Sequence, residues 1–327
     1  MRTLILTGSE VRSVLTPATA VDAVERAFAA HARGETQMPP KVYLSLEQFG
    51  GDFRAMPVQV GEHAGVKWIN AHPDNTARYG VPSVIGVFIL SDARTAVPLA
   101  IMDATGLTAM RTGAGAAVAT RHLARAGASS VGIIGCGTQA RTVLRCHHEV
   151  MTIGEVLLYD RDEAAATALV QTLAGELPCR VATIEEAAAA DVVCTLTPSR
   201  GAIVARTMVG DGAHINAMGA DAPGKQELDT AILADARVFL DDVEQASESG
   251  EVNVALAGGE LARDDIAGTL GEVVAGLVPG RGDARITVFD STGLAVQDLV
   301  VAELVYAEAR ICGIGMEIEL VEPAHVD

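Results

Sequence analysis

Lysine is nearly missing from this chain. Of 24 Lys and Arg residues only Lys41, Lys67 and Lys225 are lysine, and the remaining 21 are arginine. Where arginine supplies the surface charge, a retained lysine points to what arginine cannot offer: a compact ammonium whose pKa moves on burial and which can pass a proton. Aromatic residues make up 3% of the chain, which leaves the core to Val, Ile, Leu and Ala. No basic run exists, and with a net charge of −18 nothing would neutralise phosphates, which excludes a nucleic-acid partner. No apolar stretch reaches the length of a membrane span, and Met1 to Leu6 turns polar too soon for a signal peptide. The expectation is a soluble, cytoplasmic protein with no membrane partner. Cys136, Cys146, Cys179, Cys194 and Cys312 are odd in number and form no CxxC pair or Cys/His cluster. They read as small buried residues in a reducing compartment, with no metal site.

What is present is a globular composition, 49% hydrophobic and 20% charged, in 327 residues. That length suits two domains better than one core. Strand-like runs at 3–6, 42–46, 54–60, 64–70, 83–90 and 97–102 dominate the first hundred residues, with a helix opened by Thr16-Pro17 and another over about 106–124. Beyond Ala128 strands and helices alternate: strands at 131–134, 155–159, 180–182, 191–196, 213–217, 237–241 and 285–289, helices at 138–150, 162–175 and 184–190. Such alternation predicts βαβ units and a parallel sheet. A last helix over 293–311 is long enough to cross back onto the first domain. The fold class is therefore α/β, with a Rossmann-type parallel-sheet domain at 115–293 and a strand-rich α+β domain formed by 1–114 with 294–327.

Gly135-Cys136-Gly137-Thr138-Gln139-Ala140 follows a buried strand and opens a helix. This is the GxGxxA form of the dinucleotide fingerprint, in which Gly135 makes the turn and Gly137 admits the pyrophosphate to the helix N-terminus. Asp160 lies 25 residues beyond Gly135, at the end of the next strand, where a carboxylate takes the ribose hydroxyls. Asp160 favours NAD, since it would repel the 2′-phosphate of NADP. Arg161 keeps NADP open as the lesser alternative, and Asp162 partly offsets it.

These residues resemble the ornithine cyclodeaminase/mu-crystallin family, with motifs along nearly the whole chain. Gly65-Val-Lys67-Trp-Ile-Asn70 with His72 to Asn75 is similar to its substrate-lysine strand, Asp103 to Gly106 and Arg111-Thr-Gly-Ala-Gly115 to its hinge, and Gly135 to Ala140 to its nucleotide turn. His214 to Asp221 followed by Pro223-Gly-Lys225 resembles its catalytic loop, and Asp290 to Gly293 its terminal cofactor contact. Within the family, Met38 to Tyr43, Arg54-Ala-Met-Pro57 and Pro223 to Asp229 look most like the archaeal-type alanine dehydrogenases. Arg54 stands where cyclodeaminases carry a glutamate; it would repel a second ammonium and could grip a carboxylate.

The resemblance implies a catalytic Lys67 beside nicotinamide and substrate, and Asp221 as the general acid/base that activates water. Without it, Lys67 would be a strand lysine and Asp221 an Asx-turn residue. It implies substrate contacts from Lys41, Arg54, Lys67 and Arg111, and cofactor contacts from Ser83, Arg111, Gly135, Gly137, Thr138, Gln139, Asp160, Thr197, Ala217, Met218, Lys225 and Ser291. Lys225 reads equally as an exposed turn lysine. His147-His148 is expected on a helix surface, and Glu244, Glu248 and Glu251 are expected as solvated charge. The implied activity is NAD-dependent oxidative deamination of L-alanine or a similar small amino acid by a homodimer whose first domain binds substrate and pairs. Alternatives are ornithine cyclodeamination, reduction of cyclic imines such as pyrroline-2-carboxylate, and a mu-crystallin-like nucleotide-binding protein without turnover.

Overall fold

The computed structural model describes residues 2–72 and 74–322. Pro73 of the His72 to Asn75 motif and residues 323–327 of the first expected domain lie outside the described residues. The chain divides into two compact units, Met1–Arg111 with Ala295–Asp327, and Thr112–Leu294.

The first unit is built on a mixed sheet ordered Met316–Glu319, Arg2–Leu6, Pro98–Asp103, Val84–Asp92, His63–Ala71, Gly51–Val60 and Thr36–Gln37, with Val42–Leu46 also paired to Gly51–Val60. Only Arg2–Leu6 and Pro98–Asp103 run parallel. The period-two alternation expected of strands appears directly. Met56, Val58, Ile69, Phe88 and Leu90 are buried on one face, and helices Pro17–Ala32 and Ala295–Cys312 pack together in this unit, the latter also lying against the sheet. Thr16 caps the first of these helices, accepting from the Thr19 amide, with Pro17 at its first turn. The other sheet face is also apolar but uncovered: Val42, Leu44, Trp68, Ile85 and Val87 are all exposed, and Phe53 stacks on Trp68 at 5.1 Å.

The second unit holds an eight-stranded sheet ordered Cys179–Val181, Glu155–Tyr159, Ser130–Ile134, Val192–Thr195, His214–Ala217, Ile286–Asp290, Ala236–Leu240 and Ile266–Thr269. Every pairing in it is parallel. Its strands read as continuous apolar runs because both faces are covered: Val131, Ile133, Val143, Val156 and Leu158 form one core, and Ile134, Val193, Ile215, Val238 and Val288 the other. The α/β class and parallel sheet are as expected. Strands Ile266–Thr269 and Met316–Glu319 were not expected; each is four residues long and lies at a sheet edge, where half the pairing pattern is absent.

His147 corrects the surface reading. It is fully buried because helix Thr138–His148 turns Ala140, Val143, Leu144 and residue 147 to the core, the i, i+3, i+4, i+7 stripe of an amphipathic helix. Its Nδ1 lies 2.8 Å from the Val143 carbonyl and its Nε2 2.9 Å from Thr120 Oγ1, while burial pushes its pKa down to about 4.

Candidate active site

In the first unit, strand His63–Ala71 sets Lys67 opposite Met56 and Phe88 on the buried sheet face. The lysine is 1% exposed. Its Nζ lies 2.7 Å from Asp298 Oδ2, in the first turn of helix Ala295–Cys312. Arg111 Nε donates to the other oxygen of Asp298 at 3.1 Å, and its Nη1 donates to Gln297 Oε1 at 3.3 Å. One buried carboxylate thus orients two cations that sequence reasoning placed on the substrate. Burial pushes the Lys67 ammonium down, Asp298 opposes this, and the nearby Arg111 and Lys41 charges push it further down, to about 7. Lys67 therefore exchanges its proton near neutrality, the condition a general acid/base needs.

Arg54 shares the Lys67 sheet face, opposite Ile69 and one pair along from Met56 and Lys67. Its Nε and Nη2 donate to Asp52 Oδ1 and Oδ2, both at 3.0 Å, and its guanidinium sits 5.4 Å from the Tyr43 ring centroid. The fork expected to meet a substrate carboxylate thus meets Asp52. Ser83 accepts the His72 amide through its carbonyl at 2.8 Å, and its hydroxyl lies 3.2 Å from that of Thr76.

In the second unit, Gly135 turns with φ of 104°, a left-handed conformation that glycine adopts without strain. The Cys136 amide donates to Asp160 Oδ2 at 2.7 Å, so the ribose-side acid is tied to the turn. Gly137 precedes helix Thr138–His148, which has no side-chain cap there, and a Cβ on Gly137 would meet nothing within 4 Å. Open space before uncapped helical amides, with a carboxylate alongside, fits the pyrophosphate and ribose of a dinucleotide. Thr197, Met218 and Ser291 each follow the carboxyl end of a parallel strand, and Ala217 ends one, where such sheets take ligands. Asp221 and Lys225 pair with each other at 2.5 Å, and Asn253 holds their loop through the Gly224 amide and the Lys225 carbonyl, both at 2.9 Å.

Sequence reasoning missed the buried acids beneath these loops. Glu227 Oε1 accepts the Thr197 amide and hydroxyl, both at 2.7 Å, and Oε2 accepts the Gly219 amide at 2.9 Å. Asp241 accepts the Gly293 amide at 2.7 Å and the Thr292 hydroxyl at 3.0 Å. Glu251, expected in solvent, is fully buried and accepts the amides of 227 and 228; burial drives its pKa well up. The signal available was its place beside Val252 in a run that the helix Asn253–Gly258 draws inward.

The sequence matches the ornithine cyclodeaminase/mu-crystallin family model over residues 1–311. The chain belongs to this family. Among its members, the alanine dehydrogenase of Archaeoglobus fulgidus is 48% identical over 98% of this chain and 99% of its own. The iminosuccinate reductase of Paracoccus denitrificans is 36% identical over 97% of this chain and all of its own. A solved archaeal alanine dehydrogenase dimer with bound NAD superposes with a TM-score of 0.95, at 48% identity, over 98% of this chain and 100% of that one. Family membership accounts for the order of motifs from Lys41 to Ser291.

Proposed function

We propose that this family member is an NAD-dependent L-amino-acid dehydrogenase acting reversibly on L-alanine or a similarly small substrate. L-alanine, NAD⁺ and water give pyruvate, ammonium, NADH and a proton. The observation that carries the reading is Lys67, buried on Asp298 and poised near pH 7; the full-length likeness to an alanine dehydrogenase supports the substrate.

When bound, NAD supplies the hydride acceptor at the nicotinamide. Gly135, Gly137, Thr138, Gln139 and Asp160 would hold its phosphates and ribose, with Ser83, Thr197, Ala217, Met218, Lys225 and Ser291 as further contacts. Arg111 and Lys41 hold the substrate carboxylate, and Arg54 borders the substrate side chain. Lys67 in its neutral form takes the proton from the substrate ammonium, which frees the nitrogen lone pair for hydride loss from Cα. Protonated, it polarises the carbonyl in the reverse direction. Asp221 takes a proton from the water that attacks the imine carbon.

The uncovered apolar face of the first unit, with Trp68 and Val87 at its centre, is the surface by which we propose that the protein pairs as a homodimer; exposed patches of this kind mark interfaces. No helix among the described residues is long and apolar enough to cross a membrane, and no disulfide joins the five cysteines; we place the protein in the cytoplasm, a location that cell fractionation tests.

The deciding experiment follows absorbance at 340 nm. NADH should accumulate with NAD and L-alanine and stop with Lys67→Ala. Proline formed from ornithine without net NADH, or reduction confined to cyclic imines, would refute the reading. NADH binding with no turnover on any amino acid would identify a binding protein instead.

A further inference from the structure

In the second unit, Glu227, Glu251 and Asn253 are joined in series through the backbone. Glu227 clamps the segments of Thr197 and Gly219, which follow strands Val192–Thr195 and His214–Ala217. The two segments lie so close that a Cβ on Gly219 would stand 2.2 Å from the Thr197 carbonyl oxygen. Glu227 is itself held at its backbone, since Glu251 accepts its amide at 2.9 Å and the Leu228 amide at 2.6 Å. Glu251 lies between helices Val243–Ser249 and Asn253–Gly258. The neighbouring Val252 amide donates to Asp290 Oδ2 at 3.0 Å, which pins this connection to the end of strand Ile286–Asp290. Asn253 accepts the Gly224 amide and donates to the Lys225 carbonyl, in the loop whose Lys225 pairs with Asp221. Its Nδ2 also donates to the Gly250 carbonyl at 2.5 Å, which locks the side chain to its own segment. Glu227 and Glu251 are 0% exposed and Asn253 8%, so these bonds act in a low-dielectric interior.

We propose that residues 251–253 couple the cofactor loops to the Asp221 loop, with Glu251 and Asn253 as positioning residues. This rests on the reading of the Thr197 and Gly219 segments as cofactor loops and of Asp221 as the acid/base. Each side chain of the series makes at least two bonds, so none can turn without breaking one. An arrangement of the Thr197 and Gly219 segments fixed by bound NAD therefore passes through Glu227 and strand Gln226–Leu228 to Glu251. Asn253, on the same pinned connection, holds Gly224 and Lys225 in the matching arrangement, which sets where Asp221 stands. Motion lost in one loop lowers the cost of ordering the next, and this needs no large displacement. Such coupling is reciprocal, so an ordered Asp221 loop tightens the hold on the cofactor by the same factor.

The test is amide hydrogen exchange of the full-length protein, read by mass spectrometry on peptides covering residues 222–225. In the wild type NADH should slow this exchange by about fivefold or more. Asn253→Ala, Asn253→Ser and the isosteric Glu251→Gln should each lose most of that protection. Reciprocity fixes a second readout: the Kd for NADH should rise by the factor of protection lost. At saturating NAD, kcat for alanine oxidation should fall about tenfold in both Asn253 variants, the worth of one to two neutral hydrogen bonds. Protection that persists in the Asn253 variants would mean direct contact of the cofactor with the loop, and overturns the proposal. So does a wild type that binds NADH without protecting the loop, or a kcat within about twofold of wild type in both Asn253 variants. Loss of all NADH binding in the three variants marks a merely structural segment and overturns it too. A wild type that binds NADH but turns over no amino acid overturns the dehydrogenase reading, while the exchange measurement still decides the coupling. A wild type that binds no NADH overturns both.

Discussion

Asp298→Asn removes one charge and leaves the shape. In the native unit the carboxylate faces Lys67 Nζ at 2.7 Å and Arg111 Nε at 3.1 Å. At an effective dielectric constant of about 20, each contact is worth roughly 5–6 kcal/mol of Coulomb attraction, set against the cost of burying three charges. Removing one partner from such a group typically costs about 3–5 kcal/mol of stability. Here the two cations respond differently. Guanidinium groups as a class stay charged, whereas Lys67, already near 7, can lose its proton. Asparagine takes away what supports the ammonium, so the Lys67 pKa must fall further. The sign follows: a lysine whose folded pKa lies below its unfolded value adds stability at high pH and loses it as pH falls through the folded value. The variant should therefore be most destabilised near pH 6 and recover towards pH 9. Its rate of alanine oxidation should drop by about 10²-fold through misplacement of Arg111 and Lys67. The rising limb of kcat/KM, near pH 7 in the wild type as Lys67 becomes neutral, should move to lower pH by a unit or more. Steady-state kinetics from pH 5.5 to 9.5 measure this. A limb left at about 7 would refute the assignment of Lys67 as the titrating base.

Asp290 is fully buried and burial pushes its carboxyl up to about 8. Its folded pKa exceeds the unfolded one, so its contribution is complete below about pH 4 and lost as pH rises through about 8; melting temperatures from pH 6 to 9 should fall less steeply in Asp290→Asn, and equal slopes would contradict this. Glu227→Gln puts an amide donor against either the Thr197 or the Gly219 amide, and fluorescence titration should show NADH binding weakened about five- to tenfold, about 1–1.4 kcal/mol; an unchanged Kd would show that these loops do not carry the cofactor. Trp68→Glu on the uncovered sheet face should turn a sedimenting dimer into a monomer without altering the far-ultraviolet circular dichroism, and a persistent dimer would move the interface elsewhere.

The parallel sheet was legible because strands buried on both faces write continuous apolar runs, as in Val131 to Ile134 and Val192 to Thr195. The turn from Gly135 to Ala140 was legible because its chemistry is local. Asp298 was not, since its partners Lys67 and Arg111 lie 231 and 187 positions away in the chain. The trace it left is a polar Gln297-Asp298 step inside the apolar run from Leu294 to Val301, a charge on a helix face that must be buried. Asp52 was hidden differently: two residues from Arg54, it reads as an ordinary strand carboxylate until the register shows both on one face. Short edge strands such as Ile266–Thr269 carry too few residues for a period to be read.

The scarcity of lysine, joined to the burial of Lys67, makes this protein unusually transparent to spectroscopy. With arginine at every other basic position, a lysine side-chain carbon label places three ε-methylene resonances in a 33.8 kDa chain. One belongs to an amine sealed against Asp298, whose chemical shift should swing around neutral pH. The protonation state of a single buried amine becomes a line that can be followed directly, before any substrate is added.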